Sequence, residues 1–300
     1  MPTITTLIAP PVMRRCVVCV TALWLAAAPA QAACLDDASI QQWLASYQAK
    51  QPAPNPAPDL SEADSACTRA KFTQALEATG RKVIGYKAGL TNPAVQQRFR
   101  TDKPVWGKLY DGMLLADGST VPANFGARPL FEADMLVRVK DAGINQATTP
   151  MQVLQSIDAI APFIELPDLM VQAPPQLNGA GVAAINVGAR LGVVGALLPV
   201  PAYRAERHAL LEQLQTMDVV VSDSAGAALA RGKGADILGH PLQAVVWLAQ
   251  ALQAQGLQLQ AGDWVSLGSF SPLMPPKAGQ QIQVRYEGVP GLAAVSVRFE

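Results

Sequence analysis

Histidine is nearly absent from this chain: 300 residues hold only His208 and His240. Two distant histidines argue against a zinc centre of ordinary spacing. His208 sits among Arg204, Glu206 and Arg207 and reads as surface, while His240 precedes Pro241 and reads as shaping a helix start. Charge is also sparse, at 15% of residues, with 23 Lys+Arg against 23 Asp+Glu and a formal net charge of zero. No basic stretch forms a nucleic-acid footprint. Past residue 28 no apolar run is long enough to span a bilayer. Gly-x-Gly-x-x-Gly, a phosphate-binding loop and Gly-x-Ser-x-Gly are all missing, and no Cys-x-x-Cys lies beyond residue 32. With 50% hydrophobic residues, what remains is a compact protein with a sizeable core and a small-molecule ligand.

The first 32 residues have the parts of an export signal. Met13, Arg14 and Arg15 give a positive flank, Cys16 to Ala28 a short apolar run, and Ala30-Gln31-Ala32 small residues at the cleavage positions. The run is short for roughly 30 Å of hydrocarbon, so cleavage after Ala32 is expected rather than a retained anchor. A lipid anchor on Cys34 is the rival, but Gln31 stands where an apolar residue would be expected. The expected location is periplasmic or secreted, with no membrane attachment after cleavage. Of four cysteines only Cys34 and Cys67 then remain. An even pair in an oxidising compartment suggests one disulfide; two unrelated thiols are the alternative.

Three regions are expected: the signal at 1–32, a helix and Pro-rich segment at 33–60, and one domain at 61–300. The prolines at 52, 54, 56 and 58 break any helix there. Ser61, followed by Glu62 and Asp64, marks the N-cap of a helix running to about Thr79. From Lys82 onward short β-rich runs alternate with Gly, Pro and Asp, among them 83–86, 107–109, 132–139, 163–166, 183–188 and 281–286. The clearest later helix, 241–254, has Leu242, Val245, Val246, Leu248 and Leu252 on one face. Many short strands with few long helices predict an α+β fold around a β-rich core.

Two groups of residues stand out chemically. Glu132 and Asp134 lie two apart in an apolar run, which on a strand puts both carboxylates on one face. Two buried, unpaired anions would be strongly destabilising, and a hard divalent cation that prefers oxygen would resolve this. A solvated strand face is the other reading. Glu165 sits in a second apolar run, with Asp168 three residues on. The second group is Lys87 in Gly85-Tyr86-Lys87-Ala88-Gly89, where a lysine is unusual without a partner. It could stabilise developing negative charge or carry protons, or simply snorkel from a strand edge. Asp111, before Gly112, could pair with Lys87 or could serve a turn.

The order of these segments resembles the 2-oxopent-4-enoate (2-keto-4-pentenoate) hydratases of the fumarylacetoacetate hydrolase superfamily. The resemblance runs through 83–91, Lys103 to Met113, Arg128 to Asp134, Ala161 to Asp168, Gly239 to Ala249 and Ala261 to Ser269, over roughly residues 60–300. It implies the superfamily's β-rich fold, of mixed sheets with peripheral helices, and a homo-oligomer. It also implies a Mg²⁺ or Mn²⁺ site built by Glu132, Asp134 and Glu165 that chelates a small 2-oxo acid, with Lys87 and Asp111 as catalytic residues. The expected activity is hydration of a 2-hydroxydienoate, with oxalocrotonate-type decarboxylation or non-catalytic 2-oxo acid binding as alternatives. The chain departs from the pattern at Asp134, where the family has Glu, and at Leu169-Met170, where it has Ser-Arg. Two acids are also lost, at Gly112 and at Ile185.

Overall fold

The computed structural model describes residues 1–3 and 34–300, so the expected signal segment lies almost wholly outside the described residues. Side-chain caps open the first two helices. Asp36 accepts the Ser39 N–H at 2.8 Å ahead of α1 (Asp37–Ala49), and Ser61 accepts the Asp64 N–H at 3.1 Å ahead of α2 (Glu62–Ala78). Between them the Pro-rich segment packs down, with Ala53 bridged to Val171 and the Trp43 indole donating to the Pro54 carbonyl. Cys34 and Cys67 face each other with Cα atoms 5.6 Å apart.

The remaining chain begins with β1 (Val83–Gly89), α3 (Pro93–Arg98), β2 (Val105–Tyr110), β3 (Leu114–Ala116), β4 (Thr120–Val121) and β5 (Glu132–Val139). Next come α4 (Pro150–Gln155), β6 (Ile157–Leu166), α5 (Gly179–Ala184), β7 (Leu191–Val194) and β8 (Leu198–Pro199). The chain closes with α6 (Arg204–Thr216), β9 (Asp218–Asp223), β10 (Ala228–Lys233), α7 (Gln243–Gln253), β11 (Trp264–Ser266), β12 (Gln281–Glu287) and β13 (Val295–Phe299). The strands form two mixed sheets. One has eight strands in the order β2-β1-β11-β5-β6-β7-β3, with β8 on β6; the other runs β10-β9-β12-β13-β4. Helices and mixed sheets together make the fold α+β, as expected.

β5 divides the interior. Ala133, Met135 and Val137 point into a core shared with β9, β12, β13 and α7. Leu136, with Ala161 and Phe163 of β6, points into a second core closed by α1, α2 and α5. Alternation puts Glu132 and Asp134 on the Leu136 face, and the β5–β6 register sets Glu132 opposite Glu165. β11 ends at Ser266, level with Lys87 on β1, and the chain leaves the sheet there. That early exit leaves a gap between β1 and β5, and the gap holds the charged residues.

His240 is structural, as expected. Its Nδ1 accepts the Leu242 N–H at 3.1 Å, and its Nε2 faces the Leu211 carbonyl at 3.1 Å.

Candidate active site

Lys87 and Glu165 form a buried ion pair, with side chains 3% and 4% exposed. The Lys87 ammonium also donates to the Val187 carbonyl at 3.1 Å. Glu165 Oε2 is buried with no hydrogen-bond partner. Glu132 lies beside them, also buried. Burial drives its carboxyl above the ordinary range, against the opposing pull of Lys87, Ser269 and Arg98. Burial likewise lowers Lys87 to about 8, although Glu132 and Asp134 favour its charged form. The solvated-face reading of these residues is therefore excluded, and so is a snorkelling Lys87.

The Val187 carbonyl is aimed by unusual backbone. Asn186, Val187 and Gly188 have φ of 55°, 55° and 65°, a left-handed turn that is costly at a β-branched residue. The Asn186 side chain clamps this turn to β2, accepting the Lys108 N–H at 2.7 Å and donating to the Lys108 carbonyl at 3.0 Å. Sequence reasoning expected a strand over 183–188; the structure has the end of α5 followed by this turn. The dipeptide Val187-Gly188 after an asparagine was the only local signal, since Asn and Gly tolerate positive φ.

Asp134, expected as a metal ligand, is tied into the protein by hydrogen bonds. It is fully buried, and one oxygen accepts the backbone N–H groups of Met135, Leu267 at 3.1 Å and Gly268 at 2.9 Å. The other oxygen accepts the Ser266 hydroxyl. Gly268 has φ +102° and a Cβ there would stand 2.0 Å from Thr91 Oγ1, so only glycine lets this N–H approach. Burial raises the Asp134 carboxyl to about 7, while the Ser266 and Met135 donors pull it down. A glutamate would reach one methylene further toward Glu132 and Glu165; the aspartate stays with the backbone.

Asp111 departs from expectation. It is exposed in the turn after β2, where its carboxylate accepts the Lys82 N–H at 2.9 Å, and Lys87 pairs with Glu165 instead. Asp168, 1% exposed, accepts the Ala127 and Arg128 N–H groups at 3.0 and 2.7 Å and so holds that loop. A residue the sequence did not point to is Tyr286 on β12. Its hydroxyl donates to the Asp134 carbonyl and accepts the Phe163 N–H, pinning β5 to β6 beside the site.

A cavity of about 30 Å³ adjoins Lys87 and Glu132, room for one or two waters. Its remaining walls include Leu90, Val95, Phe99, Leu169, Val182 and Leu273, with Ser269 and Thr91 as polar groups. Lys87 and Glu132 are the charged residues among those lining it. Arg98 lines a neighbouring depression with Arg128.

For a hard cation, the donor set fits in part. Glu165 offers an oxygen with no other partner and Glu132 a second carboxylate, whereas the oxygens of Asp134 already accept protein hydrogen bonds. Among the described residues no group of three or more His, Cys, Asp or Glu is arranged to hold a metal ion. The residues present thus fit a cation held by two carboxylates, with its other positions open to water or substrate oxygen.

No family model matches the chain. It is 30% identical over 244 residues to a 2-keto-4-pentenoate hydratase of Paraburkholderia xenovorans (strain LB400), covering 81% of this chain and 86% of the relative. It is 28% identical over 247 residues to a 4-oxalocrotonate decarboxylase of Pseudomonas putida, covering 82% and 88%. Among solved structures, 4-oxalocrotonate decarboxylase from Pseudomonas putida G7, complexed with magnesium and adipate, superposes with a TM-score of 0.75 at 25% identity, covering 88% of this chain and 97% of that one. A fumarylpyruvate hydrolase from Pseudomonas aeruginosa, at 14% identity and a TM-score of 0.53, shares the fold. By its sequence the chain belongs to the 2-keto-4-pentenoate hydratase family.

Proposed function

We propose that this protein is a divalent-metal-dependent hydratase of a small 2-hydroxydienoate, the enol form of a 2-oxo acid, in aromatic catabolism. The observation that carries the reading is the buried trio of Lys87, Glu165 and Glu132, two of which line a small, mostly apolar cavity. Glu132 and Glu165 would hold the metal, Mg²⁺ or Mn²⁺. When bound, such a cation would supply Lewis-acid polarisation to a 2-oxo acid. Lys87, with its basicity lowered by burial, moves the proton on the conjugated chain. The Val187 carbonyl and Glu165 orient its ammonium, and the apolar walls exclude bulk water so that a single water meets the far alkene carbon.

Hydration is placed ahead of decarboxylation because the relatives at 30% identity are hydratases, while the decarboxylase relative stands at 28%. The test is a side-by-side assay with Mg²⁺ or Mn²⁺. Loss of diene absorbance from 2-hydroxypenta-2,4-dienoate should proceed with kcat/KM at least about tenfold above that for CO₂ release from 4-oxalocrotonate. Preference for the diacid would make the protein a decarboxylase. Binding of both without turnover would make it a 2-oxo acid binding protein.

We further propose that the protein is exported, cleaved after Ala32 and closed by a Cys34–Cys67 disulfide. Support comes from the signal-like N-terminus and from the short Cα separation of the two cysteines. Closing this loop stabilises by about 3–4 kcal/mol in the chain-entropy account. Intact mass of exported protein should begin at Ala33 and show no alkylation until a reductant is added. Alkylation of both thiols without reductant would contradict the disulfide. The family's tendency to oligomerise makes a homo-oligomer the expected assembly.

A further inference from the structure

A second cleft, of about 510 Å³, lies between α2, the segment leading into β2, α5 and the C-terminal half of α7, and shares no lining residue with the Lys87 cavity. At its wall Arg69 of α2 is 5% exposed, yet among the described residues no carboxylate stands within 4.0 Å of it. Its guanidinium stacks on the Trp106 ring at 3.7 Å. Its Nη1 donates to the Trp106 carbonyl at 3.4 Å and its Nη2 to Gln255 Oε1 at 2.9 Å. These contacts use two of five N–H groups and leave the charge uncompensated. The two acids lining the cleft do not supply an anion to it: Glu62 is paired with Lys103 at 2.9 Å, and Asp102 is exposed. Arg100 adds a further cation at the rim.

Burying a guanidinium without an anion is costly, and its planar fork matches a carboxylate. The cleft has the size of a small-molecule site, and Trp247 with Ala251 and Leu60 supplies an apolar wall. We propose that this cleft is a second binding site, for a small aromatic carboxylate whose anion meets Arg69 and whose ring lies against Trp247. Arg69 is held in place for that contact by Trp106 and Gln255. The proposal is independent of the reaction assigned to the Lys87 site.

The experiment is calorimetric titration of the full protein with benzoate, with tryptophan fluorescence as a second readout. Wild type should bind saturably, and Arg69→Met should weaken binding by about tenfold or more, the loss of a charge-assisted contact. Gln255→Leu keeps the cation but frees it, and should weaken binding less. Should Arg69→Met fail to fold, this variant decides the question. Lys87→Met and saturating pyruvate with Mn²⁺ should leave benzoate binding unchanged. The proposal is overturned by wild type showing no saturable binding, by undiminished binding in Arg69→Met or Gln255→Leu, or by displacement with pyruvate. It is equally overturned if neutral benzamide binds as tightly as benzoate. Dissociation of an oligomer by Arg69→Met would assign the cleft to a contact between copies of the chain, and would also overturn it.

Discussion

Lys87→Met is expected to lower kcat on the 2-hydroxydienoate by about 10²–10⁴, the range associated with loss of a positioned acid–base group. Methionine matches the lysine stem in length and keeps the packing beside Val187, so KM should change far less than kcat. Lys87→Arg should not rescue the rate. The guanidinium is a larger fork that stays protonated, and Lys87 occupies a site 2% exposed with one carboxylate and one carbonyl around its ammonium. Removing the cation also leaves Glu165 buried beside Glu132 without its partner, so metal-free Lys87→Met should be less stable than metal-loaded protein. Steady-state kinetics with a circular-dichroism check separate the two effects. A variant that folds, binds metal and turns over at the wild-type rate would remove Lys87 from the chemistry.

The second large effect concerns Asp134, and it is expected in the fold rather than at the metal. Asp134→Ala strips the partners from the Leu267 and Gly268 N–H groups and from the Ser266 hydroxyl at a fully buried position. Chemical denaturation of the metal-free protein should show a loss of about 3–5 kcal/mol, the size seen when a buried polar network is broken. Asp134→Asn retains an oxygen for the backbone donors and an amide that can donate to Ser266. It should therefore lose less stability and bind Mn²⁺ within a few-fold of wild type. Were Asp134 also a metal ligand, the metal affinity of the variants would show it. Asp134→Asn would then lose Mn²⁺ affinity heavily.

What the sequence made legible follows the range of the interactions involved. Period-two alternation in 132–139 put Glu132 and Asp134 on one face, and the surrounding apolar residues marked that face as buried. Lys87 between glycines in a strand needed a partner, and Glu165 is that partner. The start of α2 was visible because its cap is local, Ser61 with Asp64. The fate of Asp134 was hidden because three of its four donors come from residues 266–268, brought alongside only by the β11–β5 pairing. Nothing near Asp134 in sequence reports those N–H groups. The turn at Asn186–Gly188 was hidden for a related reason. Its β-prone valine suggested a strand, and the clamp that holds it left-handed is Lys108, some eighty residues earlier. Asp111 was misplaced because its Asp-Gly dipeptide served both readings, and the turn was the correct one. Arg69 gave no signal at all, since a helical arginine becomes unusual only once it is seen to be buried without an anion.

The central claim is that Glu132 and Glu165 hold a divalent cation that in turn holds a 2-oxo acid. Its most direct measurement is calorimetric titration of pyruvate into protein with and without Mn²⁺, for wild type and Glu165→Gln. The account predicts that pyruvate binds wild type only when Mn²⁺ is present, and that Glu165→Gln, nearly the same in shape but without the charge, loses both Mn²⁺ and pyruvate. Pyruvate binding without metal, or undiminished Mn²⁺ binding by Glu165→Gln, would contradict it and place the cation elsewhere in the molecule.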